Sequence, residues 1–524
     1  MVKSLNESLS YFKHTISDLI KSEKNISIIS HLDCDGLTSA SIIGKALFRE
    51  GIRCTITTTN EFNNNLVDRL SNDSRDFHII TDLAGGFANT LDEKLGEDWL
   101  VLDHHEIPEE EYDNERVINA WKFGIDGGLE ICAGGMTYLA SKSLNKKNED
   151  LAAIAVISAI GDRQDKGEKK SFTGKNLDIL NTAKSNGQID VDLDLLLVGR
   201  ETRPLSDALA FTSQPFIEGL TWNRSSCLAL LNSSGIPLKE KGRWRVPAEL
   251  SDDEKRHLIE TISRFASGKN MTEILEELIG YTFTFPKEDQ RSFLRDVREF
   301  STVLNSCGRI SKSGVGISIC MGDRHRMLQE GEKILSEYRK KIRDYMNVLS
   351  NERWRTAENM NCVMVNGEGI IPEMMTGTIT SIIAGFSLVE ADNMRRAMGK
   401  KKTKLMASYK IQFIKGAKEK NVPEKVAIEL FELLEKFTDY GFNKSHSVAY
   451  AMIAYQTAWL KNYYPIEFLT ANISSNINDT DNVVKLIGDG KRMGIAINPP
   501  DINLSDPDFT ILDDTTMQYG LAAI

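Results

Sequence analysis

SIISHLDCDGLTSASIIGKALFRE (27–50) is the stretch that decides the fold. A short β-rich run, SIIS (27–30), enters a polar loop, and LTSASIIGKALFRE (37–50) then reads as a helix. The same alternation continues outward. CTITTT (54–59), FHIITDL (77–83) and DWLVLD (98–103) read as second, third and fourth strands, and LAAIAVISAIGD (151–162) has helical length and ends in Gly-Asp. Strands alternating with helices predict an α/β domain whose parallel sheet is covered on both faces. In such sheets ligands gather at the carboxyl ends of the strands.

At 524 residues the chain is too long for one domain, and three or four are expected. Hydrophobic residues at 41% and charged residues at 27% exclude a collagenous or mainly disordered protein. No apolar run reaches the ~20 residues of a membrane helix, and the start, MVKSLNESLSYFK, is too polar for a secretory signal. Seven scattered cysteines without a CxxC pair do not make a disulfide scaffold. A cytoplasmic protein with reduced thiols and no membrane partner is expected.

The net charge of −11 is unevenly spread. From Phe386 onward acidic and basic residues balance, so the excess sits in residues 1–385. Within the neutral part, Arg395 to Lys420 holds ten basic residues against one acidic, Glu419. The plain reading of such a run is a solvated helix face; a phosphate-binding surface is the other.

Residues 206–300 read as mostly helical, and RMLQEGEKILSEYRKKIRDYMNVLSNERW (326–354) as one long polar helix. NCVMVNGEGIIPEMM (361–375) looks like a strand pair with a turn. After Gly385 the style changes to long helices such as VAIELFELLEKF (426–437) and HSVAYAMIAYQTAWLKNYY (446–464).

The chemistry concentrates in the first block. SHLDCDG puts His31, Asp33 and Asp35 at alternating positions after a strand; Asp82 ends a later strand, Asp103-His104-His105 the next, and Asp162 closes the 151–162 helix. A single DHH tripeptide reads most simply as a surface loop, but four such clusters in one α/β block reverse that reading. Imidazole and carboxylates at strand ends suit Mn²⁺ or Mg²⁺, and a pair of ions ~3.5–4 Å apart suits phosphodiester hydrolysis.

HLDCDG, the Asp of TDLAGG, DHH and GDRQD (161–165) resemble the DHH phosphoesterase superfamily, and within it the archaeal RecJ-like exonucleases. LNSCGRISKSGVGISICMGD (304–323) resembles the segment leading into their DHH-associated domain. The resemblance spans about residues 1–383. It implies that His31, Asp33 and Asp82 hold one metal and that Asp35, Asp82, His104 and Asp162 hold the other, with Asp82 as bridge. It implies catalytic roles for His105, facing the phosphate, and for Asp103, orienting an imidazole. Arg309, after a Gly in what reads as the NSCGR turn, is a candidate phosphate clamp or an Arg paired to a neighbouring carboxylate. The Gly-rich, His-containing motif that ends the family's DHH-associated domain is missing from 324–524.

AGFSLVEADNMRRAMGKKK (384–402), FTDYGFNKSHSVAYAMIAYQTAWLKNYYPIEFLTANISS (437–475) and KRMGIAINPPDINLSDPDFTI (491–511) resemble the fingers region of bacterial DNA polymerase III α subunit, the DnaE family. That resemblance implies nucleotide or nucleic-acid contacts for Arg395, Arg396, Lys400, Lys401, Lys402, Lys444 and His446. The family's catalytic carboxylates belong to a palm domain that residues 1–383 do not resemble, so polymerase activity is not expected. The expected organisation is a DHH phosphoesterase domain (1–175), a helical connecting region (176–300), a partial DHH-associated domain (301–383) and a mostly α-helical DnaE-like fingers fragment (384–524). The leading function is Mn²⁺- or Mg²⁺-dependent, RecJ-like exonuclease action on single-stranded DNA or RNA in replication or repair, alongside replisome proteins as partners. The alternatives are a phosphodiesterase of short oligonucleotides or cyclic dinucleotides, a non-catalytic replisome scaffold, and a polymerase III α fragment.

Overall fold

Five parallel strands in the order β2-β1-β3-β4-β5 form the central sheet of the computed structural model: β1 (Ile26–His31), β2 (Cys54–Thr59), β3 (Phe77–Thr81), β4 (Trp99–Asp103) and β5 (Val117–Asn119). The structure describes residues 4–379 and 456–523, apart from 109–110, 218, 266–270, 353–355, 360–361, 373, 377, 458 and 478–479. Its contacts divide the chain into two units, Met1–Glu358 with Cys362–Ala391, and Asn359–Asn361 with Asp392–Ile524.

The period-two alternation of strand side chains sorts the core into two layers. Ile28, Ile79, Leu100 and Leu102 pack with Phe12 and Ile16 of α1 (Leu5–Lys21), Leu47 of α2 (Cys34–Arg49) and Met136 of α5 (Ala133–Leu144). Ile29, Ile80, Trp99 and Val101 face the other way, onto Val67 of α3 (Asn64–Ser71) and Leu91 of α4 (Ala88–Leu95). The strand order reverses direction between β1 and β3, so the crevice at their carboxyl ends is the switch point where open α/β sheets bind ligands. Helix α2 starts three residues earlier than expected. Asp33 caps it by accepting the Gly36 N–H at 3.0 Å, which places Asp35 in the first helical turn.

Helix α6 (Ala152–Gly161) is apolar all round because neighbours surround it: α2, α5, α7 (Gly174–Ser185) and α12 (Val297–Arg309). Beyond α7, β6 (Asp190–Leu195) pairs antiparallel with β9 (Ile279–Thr284), bringing Leu195 beside Ile279. The intervening residues form a separate helical lobe with its own core. It comprises α8 (Leu205–Phe211), α9 (Arg224–Ser234), the short β7 (Lys239–Glu240) and β8 (Arg243–Trp244), α10 (Asp252–Phe265) and α11 (Met271–Leu278).

NSCGR is not a turn. Asp296 caps α12, whose apolar face Phe300, Val303, Leu304 and Cys307 is buried, and Arg309 is its last residue. Gly308 lies inside a helix because α12 presses on the loop after β1: a Cβ there would sit 1.7 Å from the Leu32 carbonyl oxygen. Helices α13 (Ser313–Met321) and α14 (Arg326–Asn351) follow. The strand pair expected within 361–375 is instead β10 (Thr356–Asn359) with β11 (Cys362–Val365), so only one of its strands comes from that segment.

In the second unit the described residues include α15 (Pro465–Ser475), α16 (Thr480–Arg492) and a three-stranded sheet of β12 (Ala496–Asn498), β14 (Thr516–Gln518) and β13 (Thr510–Asp513) in that order. Ile466, Leu469, Ile473, Val483, Phe509 and Met517 form its core. The 426–437 helix expected from sequence lies outside the described residues, as does most of the 446–464 helix. No described helix is long and apolar enough to cross a membrane.

Candidate metal centre

Four segments converge at the switch point. His31 ends β1, and its Nδ1 is 3.0 Å from Asp33 Oδ2 and 3.8 Å from Asp82 Oδ2. Asp82 follows β3 with φ 60°, a left-handed conformation unfavourable for a non-glycine residue that turns its carboxylate into the crevice. Its other oxygen is 3.4 Å from His104 Nε2, which is also 3.4 Å from Asp35 Oδ2. Asp162, at the end of α6, is 3.8 Å from His104 Nδ1. Ligand atoms of His31, Asp33 and Asp82 lie within 4.8 Å of one another, as do those of Asp35, His104 and Asp162, and those of Asp82, Asp103, His104 and His105.

Asp35, His104, Asp162 and His105 are held from behind. The N–H groups of Ala133 and Gly134, at the start of α5, donate to Asp35 at 3.0 and 2.9 Å, and the Ser158 hydroxyl donates to it as well. His104 Nδ1–H donates to the Gly127 carbonyl at 2.6 Å, which leaves Nε2 as a lone pair facing Asp35 and Asp82. Gln164 donates to that same carbonyl and to Asp162 Oδ2, both at 2.7 Å, so one amide ties two of these groups together. Asp103 accepts the N–H groups of Gly85 and His104 and holds His105 Nδ1 at 2.8 Å. The His105 ring itself is half exposed.

The charges crowd. Burial first, then the Asp35 and Asp33 charges, push Asp82 well above the usual carboxylate range. Burial and Asp35 push Asp162 up to about 6. Burial alone would raise Asp103, but His105 and His104 outweigh it and hold its carboxyl well below the usual range. Asp103, with burial opposing, raises His105 to about 9. Against burial, Asp33 raises His31, and Asp35 with Asp162 raises His104. Asp35 and Asp82 are each 2% exposed, so their repulsion is poorly screened. A hard oxygen-and-nitrogen donor set with surplus buried negative charge fits divalent cations such as Mn²⁺ or Mg²⁺.

Arg309 is outside these clusters. Its Nη1 donates to the Tyr338 hydroxyl at 3.3 Å, and its backbone follows Gly308 at the Leu32 contact. Arg395, Arg396, Lys400, Lys401, Lys402, Lys444 and His446 lie outside the described residues. Sequence reasoning missed Ser158, Gln164 and Asn305, whose side-chain oxygen accepts the Cys34 N–H at 3.0 Å. The available signals were a lone hydroxyl in an apolar helix and two amides inside motifs already singled out, GDRQD and LNSCGR.

A parallel sheet with a carboxylate and imidazole cluster at its strand ends is what the first 162 residues build, and family models match parts of the chain. Residues 25–161 match the DHH family, N-terminal domain; residues 197–279, the lobe bracketed by β6 and β9, match the DHH-CID domain; and residues 351–421 match the bacterial DNA polymerase III alpha subunit finger domain. The chain therefore joins a part that matches DHH-family domains to a part that matches a polymerase III α finger domain. DNA polymerase III subunit alpha of Buchnera aphidicola subsp. Schizaphis graminum is 49% identical over 146 residues, and that of Caulobacter vibrioides 51% over the same length. Those matches cover 28% of this chain and 13% of each relative, so the chain spans a small part of the polymerase subunits it matches. Among solved structures, CDC45 from Entamoeba histolytica shares the fold with a TM-score of 0.53 at 14% identity, over 74% of this chain and 82% of that one. Thermus thermophilus RecJ in complex with Mn²⁺ aligns with a TM-score of 0.42 at 13% identity, over 73% of this chain and 45% of that one.

Proposed function

We propose that this chain is a divalent-metal-dependent phosphodiesterase that shortens single-stranded DNA or RNA from an end, as a RecJ-like exonuclease of replication or repair in the cytoplasm. The position of Asp82 carries the reading: one buried carboxylate faces His31 and Asp33 with one oxygen side and His104 with the other. In this account His31, Asp33 and Asp82 hold one Mn²⁺ or Mg²⁺, and Asp35, Asp82, His104 and Asp162 hold the second. When bound, such a pair supplies Lewis acidity at the scissile phosphate and lowers the pKa of the attacking water.

The chain's own residues supply the rest. Asp82 fixes the spacing of the two halves. Gly127 and Gln164 aim His104 and Asp162. Asp103 fixes the His105 ring through Nδ1, which leaves Nε2 of the half-exposed ring to meet the phosphate or return a proton to the leaving oxygen. Arg309 clamps the strand next to the loop after β1. The basic residues Arg395, Arg396, Lys400, Lys401, Lys402, Lys444 and His446 add phosphate contacts without templated synthesis.

The test uses end-labelled single-stranded DNA and RNA incubated with Mn²⁺, with products sized over time. Stepwise shortening of long strands supports the reading. Cleavage confined to dinucleotides or cyclic dinucleotides replaces it with the short-substrate alternative, and absence of any Mn²⁺-dependent product overturns it.

A further inference from the structure

Arg203 is a guanidinium held without an acid. Among the described residues its buried Nε has no hydrogen-bond partner and it makes no ion pair, and its Cζ lies 4.5 Å from the centroid of the Phe211 ring. Arg203 as a whole is half-buried, and a guanidinium drawn partly out of water is ordinarily paired, because an unpaired charge away from water is costly.

Two more arginines bear on it. Arg339 and Arg343 stand one turn apart on the same face of α14. Arg339 Nη2 is 3.4 Å from Thr202 Oγ1 and 3.7 Å from Glu299 Oε2, and its Nε is also buried without a partner. Arg343 is exposed and unpaired among the described residues. The acids nearby are engaged elsewhere. Glu299 accepts the Glu201 N–H at 2.6 Å and the Thr202 hydroxyl at 2.5 Å, and Asp207 is paired with Arg224 at 2.6 Å. Burial and the Arg339 charge pull Arg203 down to about 10, with Arg343 adding to the repulsion and Glu299 and Asp207 opposing it. Arg203 and Arg339 thus lie close to Glu299, whose carboxyl is already hydrogen-bonded, and Arg343 follows one turn along α14, which is a local excess of positive charge.

The location relates this cluster to the metal centre. Glu299 and Arg309 are on α12, ten residues apart, which at 1.5 Å per residue is ~15 Å. Arg309 sits where α12 meets Leu32 and bonds Tyr338, the residue before Arg339. A distance of ~15 Å is roughly four stacked nucleotides at ~3.4 Å each. Guanidinium forks match phosphate oxygens in pairs.

We propose that Arg203, Arg339 and Arg343 form a phosphate-binding site for the backbone of a single nucleic-acid strand, several nucleotides from the carboxylate cluster. The choice of ligand rests on the phosphodiesterase reading.

The experiment measures binding, not turnover, so that the two can fail separately. Fluorescein-labelled oligo-dT of twelve nucleotides is titrated with the full chain in EDTA at several salt concentrations, and anisotropy is read. Arg343→Ala and Arg203→Ala are each expected to weaken binding roughly five- to tenfold and to reduce its salt slope by about 0.7. Arg343 is exposed, so its removal does not threaten the fold; the thermal midpoint checks Arg203→Ala. Wild-type affinity and slope in Arg343→Ala overturn the proposal. A wild-type chain that binds through these arginines but cleaves nothing would sink the catalytic reading and leave this site standing.

Discussion

Asp82 Oδ1 lies 3.4 Å from Nε2 of His104, although the two residues end different strands and both are nearly sealed from solvent. The contact exists because β3 and β4 are parallel neighbours whose carboxyl ends stop side by side. Asp82 then turns inward at positive φ, and the Gly127 carbonyl fixes the imidazole tautomer. A backbone strained at Asp82 and a lone pair aimed at a carboxylate are reasonable companions for a cation between them.

Asp82→Ala and His104→Ala are expected to abolish Mn²⁺-dependent hydrolysis while far-ultraviolet circular dichroism stays native, because both residues face the crevice and not the core. Mn²⁺ should raise the unfolding temperature of the wild type and not of Asp82→Ala, as expected for a ligand that binds only the folded state. Wild-type turnover in either variant at saturating Mn²⁺ would show the assignment to be wrong.

Gly308→Ala should destabilise the first unit by about 1–3 kcal/mol and weaken Mn²⁺ binding. A Cβ there would meet the Leu32 carbonyl oxygen at 1.7 Å and force α12 away from the loop carrying His31 and Asp33. Gly314→Ala is the control, since a Cβ there meets nothing within 4 Å. Denaturant melts and Mn²⁺ titration of both variants check the contrast; equal behaviour would deny α12 its bracing role.

The Glu299 carboxyl, pushed up to about 7 by burial and Asp296, gives a pH signature. Between its ordinary value of 4.5 and about 7 the folded chain keeps a proton that the unfolded chain has lost. Its contribution to stability therefore falls as pH rises through that window and is level above it. Subtracting the Glu299→Gln melts from those of the wild type should isolate a fall of a few kcal/mol, at most about 3, from pH 4.5 to 7.5. A flat difference would mean that Glu299 is ionised in the fold throughout.

The strand ends and the side chains gathered there were legible in the sequence for one physical reason, an apolar run of strand length that stops at or just before the residue. That is true of His31, Asp82 and Asp103-His104, and hydropathy alone brings those runs into one sheet. The supports were not legible, because they reach across the chain. Asn305 bonds Cys34 over 271 residues of sequence, and Ser158 bonds Asp35 over 123. Arg309 illustrates the same limit. Gly308 reads as a turn residue, yet it is selected by a close approach to Leu32 that no local pattern reveals. The helical lobe between β6 and β9 was seen as helical, but its closure by an antiparallel pair depends on Leu195 meeting Ile279, which periodicity does not register.

Replacing Arg395 and Arg396 together with Ala should reduce the salt slope of single-strand binding by roughly one to two units, at about −0.7 per phosphate contact. Cleavage of short substrates should stay unchanged, and no templated nucleotide incorporation should appear with any divalent metal. An unchanged slope would return the basic run to a solvated face.

The most direct measurement is anomalous diffraction from crystals of the full chain soaked in Mn²⁺. The account predicts two peaks ~3.5–4 Å apart with the Asp82 carboxylate between them, one beside His31 and Asp33 and the other beside Asp35, His104 and Asp162. A single peak, or a pair that Asp82 does not bridge, would contradict it.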